Sequence, residues 1–153
     1  MKKIDETDRR ILQLLQEDGK KTIKDLALEL NLSTTPTFER VKKLEKAGII
    51  DHYSAVLNAD KLGKTLYAFA HISLKDHSKK LVAAFTKQIT TIDQVQECHY
   101  VTGDSDFILK ILLNDMEAYR DFMMNQLFDM SNIAKIESFL SLSVLKKINE
   151  ISV

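Results

Sequence analysis

Apolar positions in the first third of the chain recur at spacings of three and four, in three short bursts. In "DETDRRILQLLQED", Ile11, Leu12, Leu14 and Leu15 mark one helical face, Asp5 stands as an N-cap with Asp8 three residues on, and Gly19 is the stop. "TIKDLALELNL" repeats that grammar: Thr22 precedes Asp25 by three, Ile23, Leu26, Ala27 and Leu30 form the stripe, and Asn31 marks the turn. Almost at once Ser33, Thr34, Thr35 and Pro36 open a third helix, expected to bury Phe38, Val41 and Leu44 and to end at Gly48. "IIDHYSAVLN" then alternates and is β-branched, which predicts a strand or wing.

From residue 65 the period changes. "TLYAFAHISL" alternates, with Leu66, Ala68, Ala70, Ile72 and Leu74 on one face and Tyr67, Phe69, His71 and Ser73 on the other. "SKKLVAAFTKQI" reads as an amphipathic helix burying Leu81, Val82, Phe85 and Ile89. "VQECHYV" and "FILKILL" read as strands joined by Thr102 to Asp106. "MEAYRDFMMNQLF" is a second helix with Met116, Tyr119, Phe122, Met123 and Leu127 inward, and "IAKIESFLSLSVL" is a long last strand. The order βαββαβ predicts an α+β chain: a winged helix-turn-helix domain, then a ferredoxin-like sandwich of four antiparallel strands with two helices on one side. The expected division is a helical domain over 1–52, a linker over 53–64, and an oligomerisation domain over 65–153.

The sandwich leaves one sheet face bare. Both alternating sets of the last strand contain apolar residues, Ile136, Leu140, Leu142 and Val144 against Phe139 and Leu145, and the third strand does the same. A sheet that is apolar on both faces needs a cover on each, so a dimer formed sheet to sheet is expected.

Composition narrows the class. With 153 residues, 44% hydrophobic and 29% charged, the chain suits one ordinary domain or two small ones. No apolar run is long enough to span a membrane, no signal peptide is visible, and the single Cys98 fits a reducing interior, so a cytoplasmic location is expected. Net charge is zero, split as +2 for residues 1–64 and −2 for 65–153, so any grip on nucleic acid must come from local placement of charge and several copies.

A short turn between the second and third helices is the helix-turn-helix arrangement, although three small helices can also pack for other purposes. On the third helix Thr35, Pro36, Glu39, Lys43 and Lys46 lie opposite the expected stripe, with Arg40 and Lys42 on its flanks. Ser33, Thr34 and Thr35 place hydroxyls and free N–H groups where phosphate oxygens are bound. Enzymatic chemistry is not expected. Cys98 and His99 are strand neighbours that point to opposite faces, and His52, His71, His77 and His99 lack the short spacings of zinc sites. Gly19, Gly48, Gly63 and Gly103 are isolated, so no phosphate loop is built, and no cofactor is expected. In "YVTGDSDFIL", Asp104 and Asp106 flank Ser105 after Gly103, a pattern open to turn capping, to ligand binding or, least readily, to a metal.

The words "IDETDRRILQLLQEDGK", "ELNLSTTPTFERVKKLEKAGII", "YSAVLNADKLG" and "ECHYVTGDSDFILK" together resemble the Lrp/AsnC (feast/famine) family of bacterial and archaeal regulators, the leucine-responsive branch most of all. The resemblance runs from Ile4 to about Lys147 and joins two independent domains in order and spacing. It implies a transcriptional regulator that binds double-stranded DNA through Ser33, Thr34, Thr35, Pro36, Glu39, Arg40, Lys42 and Lys43. It also implies homodimers assembling to an octamer, with a free amino-acid effector between dimers. The effector turn would be Thr102, Gly103, Asp104 and Asp106, and the walls Tyr67, Ala68, Tyr100, Phe128, Phe139, Leu140 and Ser141. Backbone N–H groups of the turn would accept the ligand carboxylate and Asp106 its ammonium. The aromatic walls depart from the leucine-responsive pattern, so leucine, methionine and another apolar amino acid all stay open. A chromosome-organising protein that wraps DNA with little sequence preference is the alternative.

Overall fold

The computed structural model describes residues 4–148 and 150–153. Its regular elements are α1 (Glu6–Glu17), α2 (Ile23–Glu29), α3 (Thr34–Lys46), β1 (Leu66–Leu74), α4 (Lys79–Ile89), β2 (Val95–Tyr100), β3 (Phe107–Leu113), α5 (Met116–Phe122) and β4 (Ile133–Leu140). They fall into two compact units, one of Met1–Val56 with Lys146–Val153, the other of Leu57–Leu145.

In the helical unit both expected caps close as capping boxes, Asp5 with Asp8 and Thr22 with Asp25. Ile11, Leu12, Leu14, Leu26, Val41 and Leu44 form the core. One expectation fails. Phe38 is 47% exposed, and the buried stripe of α3 is Thr37, Val41 and Leu44, spaced i, i+4, i+7. Residue 38 lies about 100° away from that stripe, so hydrophobicity alone misplaced it. Thr37 is tolerated inside because its hydroxyl donates to the Ser33 carbonyl at 2.9 Å. Phe38 instead lies beneath the Lys42 ammonium, 5.8 Å from the ring centroid.

Of the strand or wing expected after α3, the strand does not form. Residues 51–58 carry no strand, and Tyr53, Val56 and Leu57 are exposed. Alternation makes a segment fit for a sheet, but a ladder needs a second strand, and none of the described residues supplies one here. The tail brings a further difference: Lys146–Val153 groups with the helices rather than the sandwich. The Gln16 side chain donates to the Ile151 carbonyl at 2.9 Å and accepts from its N–H at 2.6 Å, and Val153 packs against the helical core.

The sandwich unit has strand order β2-β3-β1-β4, all neighbours antiparallel. The helix side of the sheet is sealed by Ala68, Ala70, Ile72 and Leu74 of β1 and Phe107, Leu109, Ile111 and Leu113 of β3, packed on Phe85, Ile89, Phe122, Met123 and Leu127. β4 stops at Leu140 rather than near residue 145. The Ser141 N–H still reaches the Tyr67 carbonyl at 2.9 Å, but β1 begins at Leu66, so the ladder has no further rung. Leu142 and Leu145 beyond it are almost fully exposed. α5 continues into a π turn, Met123–Leu127. Met116, expected inward, is the first residue of α5 and is 54% exposed.

Candidate functional site

α3 is presented by a tight turn. Leu30 caps α2, Asn31 takes the left-handed conformation at φ 52°, and the Leu32 N–H returns to the Ala27 carbonyl at 2.9 Å. Ser33 then caps α3 through its backbone geometry, but its hydroxyl makes no cap hydrogen bond. The exposed hydroxyls of Ser33, Thr34 and Thr35 therefore stand beside the free N–H groups of the first turn, with Pro36 half-buried behind them. Opposite the buried stripe lie Thr35, Glu39, Lys42 and Lys46, all exposed.

Arg40 and Lys43, both expected as DNA-facing cations, are held elsewhere. One Arg40 nitrogen, Nη1, donates to Asp5 at 2.5 Å and to Asp8 at 2.7 Å, and Lys43 Nζ reaches the other Asp8 oxygen at 3.0 Å. The Asp8 side chain has no exposed surface. Burial alone would raise its carboxyl, but hydrogen bonds from Lys43, Arg40 and the Asp5 N–H outweigh burial and hold it below the ordinary value. Asp5 is also depressed, first by Arg40 and then by the Asp8 N–H. The cap pattern at Asp5 and Asp8 was legible in the sequence, but this long-range network was not. One signal was available: Asp8 lies three and four residues before Ile11 and Leu12, on their inward face.

In the sandwich unit the turn between β2 and β3 depends on Gly103, whose φ of 125° is strained for any residue with a Cβ. The Val101 N–H donates to the Asp106 carbonyl at 2.9 Å and the Asp106 N–H to the Ile72 carbonyl at 2.8 Å, which ties the turn to β1. The Asp106 carboxylate accepts the Leu74 N–H at 2.7 Å and faces His77 Nε2 at 3.0 and 3.1 Å. The Leu74 N–H and then His77 hold the carboxyl below its usual range. Asp106 therefore braces the turn, while Asp104 and Thr102 project exposed. Tyr100 is 67% exposed and rests on Phe107, ring centroids 4.8 Å apart. Phe128, set just past the π turn, is 58% exposed.

The remaining wall residues separate onto two sheet faces. Ala68 is wholly buried on the helix side between Ile111 and Leu140. Tyr67 and Phe139 belong to the opposite, uncovered face, and Ser141 follows the last rung of β4. That face pairs Phe69 with Phe139, sets the His71 ring against Phe139 at 5.0 Å with the planes tilted by 59°, and carries a Glu97–Lys110 ion pair at 2.5 Å. Among the described residues no three His, Cys, Asp or Glu side chains group to hold a metal, and no helix is long and apolar enough to cross a membrane. Cys98 is half-buried, and burial pushes its thiol up, away from nucleophilic reactivity.

Comparison with known proteins addresses the two units separately. Residues 4–51 match a winged helix-turn-helix DNA-binding model, and residues 67–151 match the Lrp/AsnC ligand-binding domain. The leucine-responsive regulatory proteins of Escherichia coli K12 and Klebsiella pneumoniae are each 33% identical over 150 residues, 98% of this chain and 92% of theirs. A Neisseria meningitidis transcriptional regulator solved in complex with L-Met superposes with a TM-score of 0.93 at 30% identity, covering 97% of this chain and 96% of that one. Escherichia coli AsnC superposes with a TM-score of 0.89 at 25% identity, covering 99% of both. These relatives are regulators and not enzymes. Two domain matches in series, with relatives aligned along almost the whole length, have one meaning: the chain belongs to the Lrp/AsnC family of transcriptional regulators, with a DNA-binding helix-turn-helix and an amino-acid-binding domain.

Proposed function

We propose that this chain is a cytoplasmic, sequence-specific regulator that lays α3 in the major groove and answers to a free apolar amino acid. One observation carries the reading. A helix start rich in uncapped hydroxyls, with an exposed cationic face, shares a chain with a sandwich whose second sheet face is bare and partly apolar. The first suits phosphates and base edges, and the second suits a copy of itself. Ser33, Thr34 and Thr35 take phosphates, while Thr35, Glu39, Lys42 and Lys46 face the bases. Lys46, which helical phase already places opposite the stripe, is an addition to the residues that the family resemblance implies.

Dimers form through the sheet face around Phe69 and Phe139, and dimers of that kind assemble further, to an octamer. The effector sits at the Thr102–Asp104 turn, between the exposed rings of Tyr100 and Phe128. With the Asp106 carboxylate already engaged by Leu74 and His77, the exposed Asp104 is the acid that meets the ligand ammonium. The methionine complex of the Neisseria relative and the leucine response named in the enterobacterial ones make methionine and leucine the first candidates.

A ligand that binds only the folded state stabilises it by about 2.7 kcal/mol at a hundredfold excess over Kd. A thermal-shift series over the twenty amino acids is therefore expected to raise the melting temperature with methionine or leucine and not with aspartate or lysine. A flat response to all twenty removes the effector assignment. Binding compared on a native promoter and on arbitrary duplex at physiological salt separates this reading from a DNA-wrapping protein, for which the two affinities are equal.

A further inference from the structure

α3 carries four cations, Arg40, Lys42, Lys43 and Lys46, and two acids, Glu39 and Glu45, a local excess of +2. Asp5 and Asp8 of the α1 start cancel that excess. The cancellation is structural and not merely arithmetic. The two hydrogens of Arg40 Nη1 are committed to two different carboxylates, at 2.5 and 2.7 Å, and Lys43 is held at 3.0 Å by a carboxylate with no exposed surface. Lys42 pairs with Glu45 at 2.7 Å, and Lys46, exposed opposite the buried stripe, has no ion pair among the described residues.

We propose that Asp5 and Asp8 are specificity-determining residues that act through Arg40 and Lys43: they occupy these cations in place of DNA phosphate and so hold down sequence-independent affinity. Phosphate contacts carry no sequence information, yet they supply nearly all of non-specific binding. Withdrawing two cations from the phosphates lowers that background, while the base-facing side chains of α3 keep their reach. The two acids are unequal. Asp8 is inaccessible and also fixes α3 against α1, whereas the Asp5 side chain is half exposed and touches only the edge of the network. Asp5 is therefore where the effect on DNA separates from the effect on folding. The inference rests on the assignment of α3 to DNA.

The test is Asp5→Asn in the full chain, because asparagine caps a helix as well as aspartate does but carries no charge. Binding to a short labelled duplex of arbitrary sequence is measured by anisotropy from about 50 to about 200 mM salt. The expected result is tighter binding, by up to about tenfold near 0.1 M salt, with the slope of log K against log salt steeper by roughly 0.9 per bound copy. Affinity for a promoter site rises less, so the ratio of specific to non-specific binding falls. A folded variant with unchanged or weaker binding to arbitrary duplex overturns the proposal, because it makes Asp5 neutral or a positioner of Arg40 for phosphate. Asp5→Ser repeats the test with another capping residue, and loss of fold in both variants assigns Asp5 a purely structural role and overturns it as well. Lys46→Ala is run in parallel. If it weakens binding while Asp5→Asn changes nothing, only this inference falls. If Lys46→Ala is also neutral, the placement of α3 on DNA falls first.

Discussion

The helical unit and the sandwich unit close their cores by different means. The helices bury seven apolar side chains and add a fully buried carboxylate, Asp8, held by two cations from a second helix. The sandwich buries thirteen and uses no charge in its core, but it leaves one sheet face to solvent. A small core gains orientation from an ion network, since Arg40 and Lys43 meet Asp8 only at one setting of α3 against α1. A larger apolar core needs no such device, and apolar side chains such as Phe69 and Phe139 remain on the open sheet face. The two units are thus expected to fail under different insults.

Leu109→Ala is the strongest way to break that contrast. Leu109 is wholly buried at the centre of the sandwich, where truncation leaves a cavity and costs about 3 kcal/mol. Urea titration followed by amide exchange is expected to show the loss in the sandwich amides, with those of α1 to α3 unchanged. Equal loss in both sets would mean that the units unfold as one.

Asp8→Asn tests the other side. Breaking a fully buried pair typically costs 3–5 kcal/mol, but Arg40 and Lys43 keep partial access to water, so about 2 kcal/mol is expected at neutral pH. The pH dependence follows from the depressed carboxyl. Its ordinary value is 3.8 and its folded value lies lower, so its contribution is present above the ordinary value and is lost as pH falls through the folded one. Wild-type helices should weaken between about pH 5 and pH 2, and the variant should lose that part of the slope. A wild-type acid profile identical to that of Asp8→Asn would remove the network from the account.

The same contrast explains what the sequence made legible. Both capping boxes, the three helices and the βαββαβ order follow from local rules, and each is in the structure. The misses are cases in which a distant partner decides. Phe38 has greater apolar mass than Thr37, yet the phase that seats Val41 and Leu44 turns it outward. Asp8 reads as half of a cap until α3 is packed against it. The stretch over 51–58 has the alternation of a strand but lacks a partner, and the π turn that precedes Phe128 has no compositional mark. At the turn between β2 and β3, Gly103 was legible from conformation alone, whereas the ties from Asp106 to Leu74 and His77 depend on the register of β1 against β3.

Phe139→Glu sharpens the comparison without touching either core. Phe139 is 52% exposed, lies opposite Phe69 and has no partner on the helix side, so the monomer fold should hold. A charge at the centre of a sheet-to-sheet contact should weaken dimerisation at least about tenfold, which is about 1.4 kcal/mol. Sedimentation reads it directly. An unchanged association constant would place the dimer contact elsewhere, and a lower melting point in the dissociated protein would mean that the sandwich needs its partner to stay folded.

The smallest effect concerns where the helical unit ends. Its tail is tied by two hydrogen bonds between the Gln16 side chain and the Ile151 backbone, both at an exposed site, and by Val153 at the edge of the core. Exposed bonds of this kind contribute about 0.5–1 kcal/mol together with their apolar contact. Gln16→Ala should therefore leave the melting of α1 to α3 almost unmoved while the Ile151 amide exchanges faster and the tail becomes easier to cleave. If the Ile151 amide is already unprotected in the wild type, the tail does not belong to the helical unit. The ion network would then have to hold α3 against α1 without a third element, and Asp8→Asn should cost more than about 2 kcal/mol.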